Sequence, residues 1–216
     1  MMNTIVHRGP DEEGIHHDEA AVLGHRRLSI IDLQTGRQPL CNEDESKVIV
    51  FNGEIYNFES IRSRLLAEGH VFKTRSDTET ILHLYERDGV DCLRSLRGMF
   101  AFVIWDKVEK KLFAARDRLG IKPFYYAYGG DSLVFGSEIK AVLASKKVAR
   151  DIDYQALCDY ITLMYIPGPK SIFRGIRKLP PGHYLEYQHG ELTITQYWDV
   201  DFSRTESISE NDYLSR

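Results

Sequence analysis

Two hydrophobic rhythms alternate along the chain. Short runs rich in β-branched and aromatic residues recur at Val48-Ile49-Val50, Met99–Trp105, Lys111–Ala115, Phe124–Tyr128 and Ser132–Phe135. Runs of this length and composition read as strands. Lys47 to Phe51 is one strand, expected to end where Asn52-Gly53 permits a tight turn. The next two pairs read as hairpins turning at Asp106-Lys107 and at Gly129-Gly130-Asp131. A further strand begins at Ala20, with a second apolar stretch at Leu28-Ser29-Ile30-Ile31. Helical stripes lie between these runs. Phe58, Ile61, Leu65 and Leu66 keep helical spacing up to Gly69, a stop signal. Asp77 is placed to cap a helix over 78–88, which Gly89 ends. Shorter helices are expected over 138–145 and 153–165, the second broken by Pro167-Gly168-Pro169. A short helical start precedes a turn at His7-Arg8-Gly9-Pro10-Asp11. His183–Tyr187 and Leu192–Tyr197 form a last hairpin around His189-Gly190, and Ser209-Glu210-Asn211-Asp212 opens another helix. Strands cluster, and helices fall between the clusters without regular βαβ alternation. That favours an α+β fold. The pattern changes near residue 150, so 1–150 is expected as one domain and 151–216 as a linker and the start of another.

Composition narrows the function classes. With 216 residues, 43% hydrophobic and 28% charged, the chain suits one ordinary globular domain and the beginning of a second. A net charge of -4 gives no basic footprint, which argues against nucleic acid as a partner. No apolar run reaches the length of a membrane span, and the first residues lack a signal-peptide core. A cytoplasmic protein is expected. Cys41, Cys92 and Cys158 are odd in number and widely spaced, and read as free thiols. The eight histidines show no metal-ligand spacing, so no metal is assigned to the chain.

The most informative stretch is Phe51-Asn52-Gly53-Glu54-Ile55-Tyr56-Asn57. An Asn amide and a glycine N–H side by side can aim two donors at one point, the geometry of an oxyanion hole for acyl transfer. The plain alternative is an ordinary Asn-Gly turn. Read alone, Arg27 could be a surface arginine beside Arg26, Asp77 a helix cap, and Glu54 a solvated turn residue.

Seven segments in order carry a resemblance. They are His7-Arg8-Gly9-Pro10-Asp11, Gly24-His25-Arg26-Arg27-Leu28-Ser29-Ile30, Asn52-Gly53-Glu54-Ile55-Tyr56-Asn57, Arg75-Ser76-Asp77-Thr78-Glu79-Thr80, Arg97-Gly98-Met99-Phe100-Ala101-Phe102, Ala115–Pro123 and Phe135–Lys140. Together they resemble the glutaminase domain of glutamine-hydrolysing asparagine synthetases, class II glutamine amidotransferases with the N-terminal-nucleophile fold. Ile172-Phe173-Arg174-Gly175 and Lys178-Leu179-Pro180-Pro181-Gly182 resemble the entry to that family's synthetase domain. The resemblance implies a four-layer αββα sandwich, two antiparallel sheets between helices, here lacking its first strand. It implies that Arg27 pairs with the α-carboxylate of glutamine, a match for a guanidinium fork. Asp77 and Glu54 would hold the α-ammonium, backbone groups of Leu28 and Ile30 would line the pocket, and Asn52 and Gly53 would form the oxyanion hole. ATP and Mg belong, by the same resemblance, to a synthetase domain outside these residues. That domain is the implied partner, and a homodimer is left open.

The family's nucleophile, an N-terminal cysteine whose own α-amino group is the base, has no counterpart at Met1-Met2-Asn3. None of the three cysteines replaces it, and no Gly-rich phosphate loop occurs. Two readings follow. One is the glutaminase portion of an asparagine synthetase, truncated and inactive alone, or the same domain from an amidotransferase with another acceptor. The other is a free-standing, non-catalytic glutamine-binding module.

Overall fold

Residue alternation along the central hairpin builds the molecule. In the computed structural model, residues 1–28, 36–129, 131–203 and 209–215 are described. Strand β5 (Gly98–Asp106) pairs with β6 (Lys111–Arg116) and both are buried on their two faces. Phe100, Phe102, Ile104, Phe113 and Ala115 point one way; Ala101, Val103, Trp105, Leu112 and Ala114 point the other. A strand apolar on both faces needs a cover on each side.

The first cover is helical. Helices α1 (Phe58–Ala67), α2 (Asp77–Asp88) and α3 (Cys92–Ser95) pack Ile61, Leu65, Ile81, Leu82, Leu84 and Leu93 against the first face. The second cover is a smaller sheet. Strands β7 (Tyr125–Gly129), β8 (Ser132–Gly136) and β9 (Ile176–Lys178) run in the order β8-β7-β9. Tyr126 faces inward, to Trp105, Leu112 and Leu185, while Ala127 faces outward to helix α4 (Ile139–Leu143). The layers are therefore helices, six-stranded sheet, three-stranded sheet, helix: an α+β fold of antiparallel sheets between helices.

The large sheet runs β11-β10-β6-β5-β4-β3, adding β3 (Leu40–Cys41), β4 (Lys47–Ile55), β10 (His183–Gln188) and β11 (Glu191–Gln196). A separate ribbon, β1 (Glu12–His17) with β2 (Val22–Arg27), lies against it. Leu23 joins the inter-sheet core, the indole N–H of Trp105 donates to Asp18, and His25 bonds the Phe51 carbonyl. These contacts set the end of β2 over the middle of β4, which positions the site. Helix α5 (Tyr154–Leu163) is capped by Asp153, whose carboxylate accepts from Gln155 and Ala156 N–H. Helix α6 (Glu210–Leu214) follows the tail. Among the described residues no helix is long and apolar enough to cross a membrane.

Three sequence expectations need correction. The boundary expected near residue 150 interrupts neither sheet: β9 pairs with β7, and β10 pairs with β6. Strand β4 does not end at a turn. It runs through Asn52-Gly53 to Ile55, in register with β5. Asp77 is the first residue of α2, and the cap is Ser76, whose Oγ accepts from Glu79 N–H. The Arg116–Gly120 turn is organised by bonds to the backbone. The buried Asp117 carboxylate accepts from the N–H groups of Phe100, Leu119, Ile121 and Lys122.

Glycine at 53 answers to packing, since its φ is not positive. A Cβ there would stand 2.2 Å from the Met99 carbonyl oxygen and 2.8 Å from Phe100 Cα. Both neighbours are backbone of β5 and cannot swing away. Gly53→Ala is expected to destabilise the chain by about 1–3 kcal/mol, the usual cost of overpacking. Urea unfolding measures it; an unchanged midpoint would show that the β4–β5 spacing can relax.

Candidate active site

The alternation that makes β4 a strand also makes it a row of donors. Phe100 turns its N–H and C=O to Asp117, away from β4. Gly53, its partner in register, therefore sits at a position whose own N–H points to the outer edge. Phe51 and Ile55, two residues to either side, point the same way. Phe51 N–H donates to Gln38 Oε1 at 2.6 Å, and Ile55 N–H donates to Asp77 Oδ2 at 3.1 Å. Gly53 N–H thus faces the edge of the sheet between the Gln38 amide and the Asp77 carboxylate.

A cavity of about 210 Å³ opens at this edge. Arg27, Leu28, Asn52, Gly53, Glu54 and Asp77 all line it, with His25, Gln38, Ser76, Thr78 and Lys122 among the others. Residues 50 positions apart in sequence meet because β2 lies across β4 and α2 begins beside Ile55. Ile30 falls outside the described residues. The volume is below the range of drug-sized pockets, which suits a small metabolite.

Both charge signs are built in. Arg27 is only 6% exposed and its Nη1 donates to Glu12 Oε2 at 2.8 Å. Its guanidinium carries five N–H donors in a planar fork, the geometry that matches a carboxylate. Asp77 is 4% exposed. Burial raises its pKa, as does the neighbouring charge of Glu54, while backbone N–H groups at Ile55, Thr78 and Asp77 oppose the rise. Two carboxylates side by side in a half-dry wall call for a cation. Asn52 supplies a neutral donor: its side-chain Nδ2 is buried and has no hydrogen-bond partner among the described residues. A buried amide left unpaired costs free energy and marks a place where something else binds.

Sequence reasoning missed His25 and Gln38. Strand alternation could have found the first, since Leu23, His25 and Arg27 share a face of β2. Its Nε2 bonds the Phe51 carbonyl at 2.9 Å, so it donates there, and Nδ1 is buried without a partner among the described residues. Burial, with a smaller push from Arg27, lowers its pKa to about 4 against the Phe51 bond. The neutral ring is the folded form near pH 7. The unfolded ring takes a proton near pH 6.5, the folded one only near 4, so stability falls as pH drops through that window. The loss is of order 3 kcal/mol. Unfolding curves at pH 4.5 and 7.5 are expected to differ less in His25→Gln than in the parent; equal differences would place the acid sensitivity elsewhere. Gln38 lines the cavity, its Nε2 donating to Thr78 Oγ1 at 3.3 Å.

No cysteine lines the cavity. Cys41 is half-buried in β3, Cys92 is buried at the start of α3, and Cys158 is exposed on α5. Burial raises the thiol pKa of both Cys41 and Cys92, which keeps them un-ionised and inert.

Known proteins resemble this chain in sequence and in fold. A family model described as "Glutamine amidotransferase domain" matches residues 1–198. Asparagine synthetase [glutamine-hydrolyzing] 3 of Bacillus subtilis (strain 168) is 41% identical over 97% of this chain and 35% of its own length. A putative asparagine synthetase [glutamine-hydrolyzing] 2 of Methanocaldococcus jannaschii is 39% identical over 92% of this chain and 42% of its own. The chain thus spans roughly a third to two fifths of the length of these relatives. Among solved structures, the glutamine phosphoribosylpyrophosphate amidotransferase from B. subtilis, complexed with ADP and GMP, superimposes with a TM-score of 0.55. It is 22% identical and covers 82% of this chain and 35% of its own, a likeness of fold. By its sequence and its layered antiparallel sheets, this chain belongs to the glutamine amidotransferase domain family, in the class II type found in asparagine synthetases.

Proposed function

We propose that this chain is the glutaminase portion of an asparagine synthetase and that its cavity binds L-glutamine. The observation that carries the reading is the buried, unpartnered Asn52 amide nitrogen in a cavity walled by a buried arginine and a carboxylate pair. A glutamine zwitterion has one group for each. Its α-carboxylate takes the Arg27 guanidinium, its α-ammonium takes Asp77 and Glu54, and its carboxamide oxygen takes Asn52 Nδ2 and Gly53 N–H. Leu28, with Ile30, completes the wall around the α-carbon. Three-point attachment fixes chirality and aims the carboxamide carbon at one spot.

The chemistry proposed is amide hydrolysis. A thiolate adds to the carboxamide carbon, and negative charge moves to its oxygen, where Asn52 and Gly53 meet it. The C–N bond then breaks as the leaving nitrogen takes up the proton that the thiol gave to its base, ammonia departs, and water cleaves the thioester to glutamate and the free thiol. The Asn52 donor is worth roughly 100–1,000-fold in such a step. In the whole protein the ammonia serves ATP-dependent amidation of aspartate, with ATP and Mg held by a synthetase domain. That partner finds support in α5, which leaves Ile161 and Met164 at least 70% exposed, an apolar face for further chain. Three free thiols fit a reducing, cytoplasmic setting.

A second reading has its own observation. No thiol lines the cavity, as a non-catalytic glutamine-binding module would have it. Both readings require glutamine binding. Thermal unfolding in millimolar L-glutamine, D-glutamine and L-norvaline tests it. L-Glutamine is expected to raise the midpoint and the other two to leave it unchanged. Equal shifts for both glutamine enantiomers would overturn the three-point site.

A further inference from the structure

Outside the lining of the cavity, three segments bring metal-ligand chemistry together. Glu43 lies in the loop after β3, His70 just beyond α1, and His83 in the middle of α2. Each offers one donor atom, and these atoms lie within 4.8 Å of one another. His83 is fully buried, with the rings of Phe72 and His70 packed on it at 4.6 and 5.2 Å. Its Nδ1 lies 2.7 Å from Glu86 Oε2 and 3.7 Å from Glu43 Oε2. Its Nε2 is buried without a hydrogen-bond partner among the described residues, 3.7 Å from Glu79 Oε1.

We propose that Glu43, His70 and His83 form a binding site for a divalent transition metal of the zinc type, one ion per chain. Two imidazoles and a carboxylate are the donor set such ions favour; magnesium and calcium prefer all-oxygen sites. Around a tetrahedral ion with bonds of about 2.1 Å, donors stand about 3.4 Å apart. Glu43 is exposed and His70 half-exposed, so both can close by the ångström or so required. The His83 nitrogen that does not bind the ion faces a carboxylate on either choice, Glu79 at Nε2 or Glu86 at Nδ1. A ligating imidazole that gives its other N–H to a carboxylate is the ordinary outer-shell arrangement of metal sites. The ion would staple the loop after β3 and the end of α1 to α2, the helix whose first residue is Asp77.

The sequence hides this cluster, because its members are 27 and 13 positions apart and match no local ligand spacing. The rival arrangement is a metal-free imidazolium. Burial lowers the His83 pKa, but Glu79 and Glu86 outweigh burial and bring it to about 9.

The test uses the whole chain stripped of metal with a chelator, then titrated with Zn²⁺ by calorimetry and with Co²⁺ by absorption. The expected result is one Zn²⁺ per chain at micromolar or tighter affinity and a visible Co²⁺ spectrum of tetrahedral type. Saturating Zn²⁺ should also raise the thermal midpoint by about 5 °C or more. Glu43→Gln and His70→Gln, changed where side chains reach solvent so that folding is preserved, should each weaken binding at least about tenfold. Zn²⁺ uptake that is absent, or that persists unchanged in the Glu43→Gln/His70→Gln double variant, would overturn the proposal and leave the imidazolium.

Discussion

Incubated with L-glutamine, the 216-residue chain is expected to release no detectable glutamate. The cavity holds donors for an oxyanion but no thiol. Among the described residues its two lining hydroxyls are engaged: Ser76 Oγ accepts from Glu79 N–H, and Thr78 Oγ1 accepts from Gln38. Neither has a base beside it in the described bonds. Elsewhere, loss of a nucleophile costs roughly a millionfold in turnover. What survives is the roughly 10³–10⁴-fold that oxyanion stabilisation and binding supply over water. Multiplying so slow an uncatalysed amide hydrolysis, such a remainder still stays below detection. A coupled glutamate assay on freshly purified chain checks this. Glutamate release that disappears in Asn52→Ala would show that a nucleophile is already present among these residues.

Binding should respond far more sharply to the charged walls than to anything else. Asp77→Asn and Arg27→Gln are each expected to weaken L-glutamine binding by roughly 10–150-fold, the worth of a charge-assisted hydrogen bond of about 1.5–3 kcal/mol. Glu54→Gln should cost less, because Glu54 reaches solvent more than Asp77 does. The Asp77 substitution carries a signature that a folding defect would not. Asn keeps an oxygen to accept from Ile55 N–H, so the local structure stands. A buried carboxylate whose pKa is raised stabilises the fold below its unfolded pKa, and that contribution is lost as pH rises through the folded one. Asp77→Asn removes this loss, so the variant should be as stable as its parent or more stable at pH 7 while binding worse. Calorimetric titration with parallel urea unfolding separates the two effects. A variant less stable and equally able to bind would assign Asp77 to structure alone.

How much of this was legible in the chain depended on distance in sequence. Hairpins and helices were readable because their signals are local. The apolar runs Met99–Trp105 and Lys111–Ala115 announce a hairpin, and Gly69 and Gly89 mark helix ends. The site residues came from ordered motifs, and β2 lying over β4 brings Arg27, Asn52, Gly53, Glu54 and Asp77 to one cavity. What failed were readings in which a tertiary partner decides. Asn52-Gly53 carries every mark of a turn, yet β5 pairs across it and keeps it extended. Ser76 and Asp77 are both good caps, and the Ile55 N–H draws the Asp77 carboxylate elsewhere. The 150 boundary followed a change of local composition, while the hydrogen bonds of β9 and β10 reach back to β7 and β6. Gln38 and the Glu43–His70–His83 cluster lay beyond local pattern altogether.

The central claim is that one cavity grips glutamine at three points, and a crystal structure of the chain soaked with L-glutamine tests it most directly. The account predicts density for one molecule in the cavity between β2, β4 and the start of α2. The α-carboxylate should lie on Arg27, the α-ammonium within hydrogen-bond distance of Asp77 or Glu54, and the carboxamide oxygen on Asn52 Nδ2 and Gly53 N–H. Density that places the α-carboxylate at Asn52, or that puts glutamine outside this cavity, would contradict it.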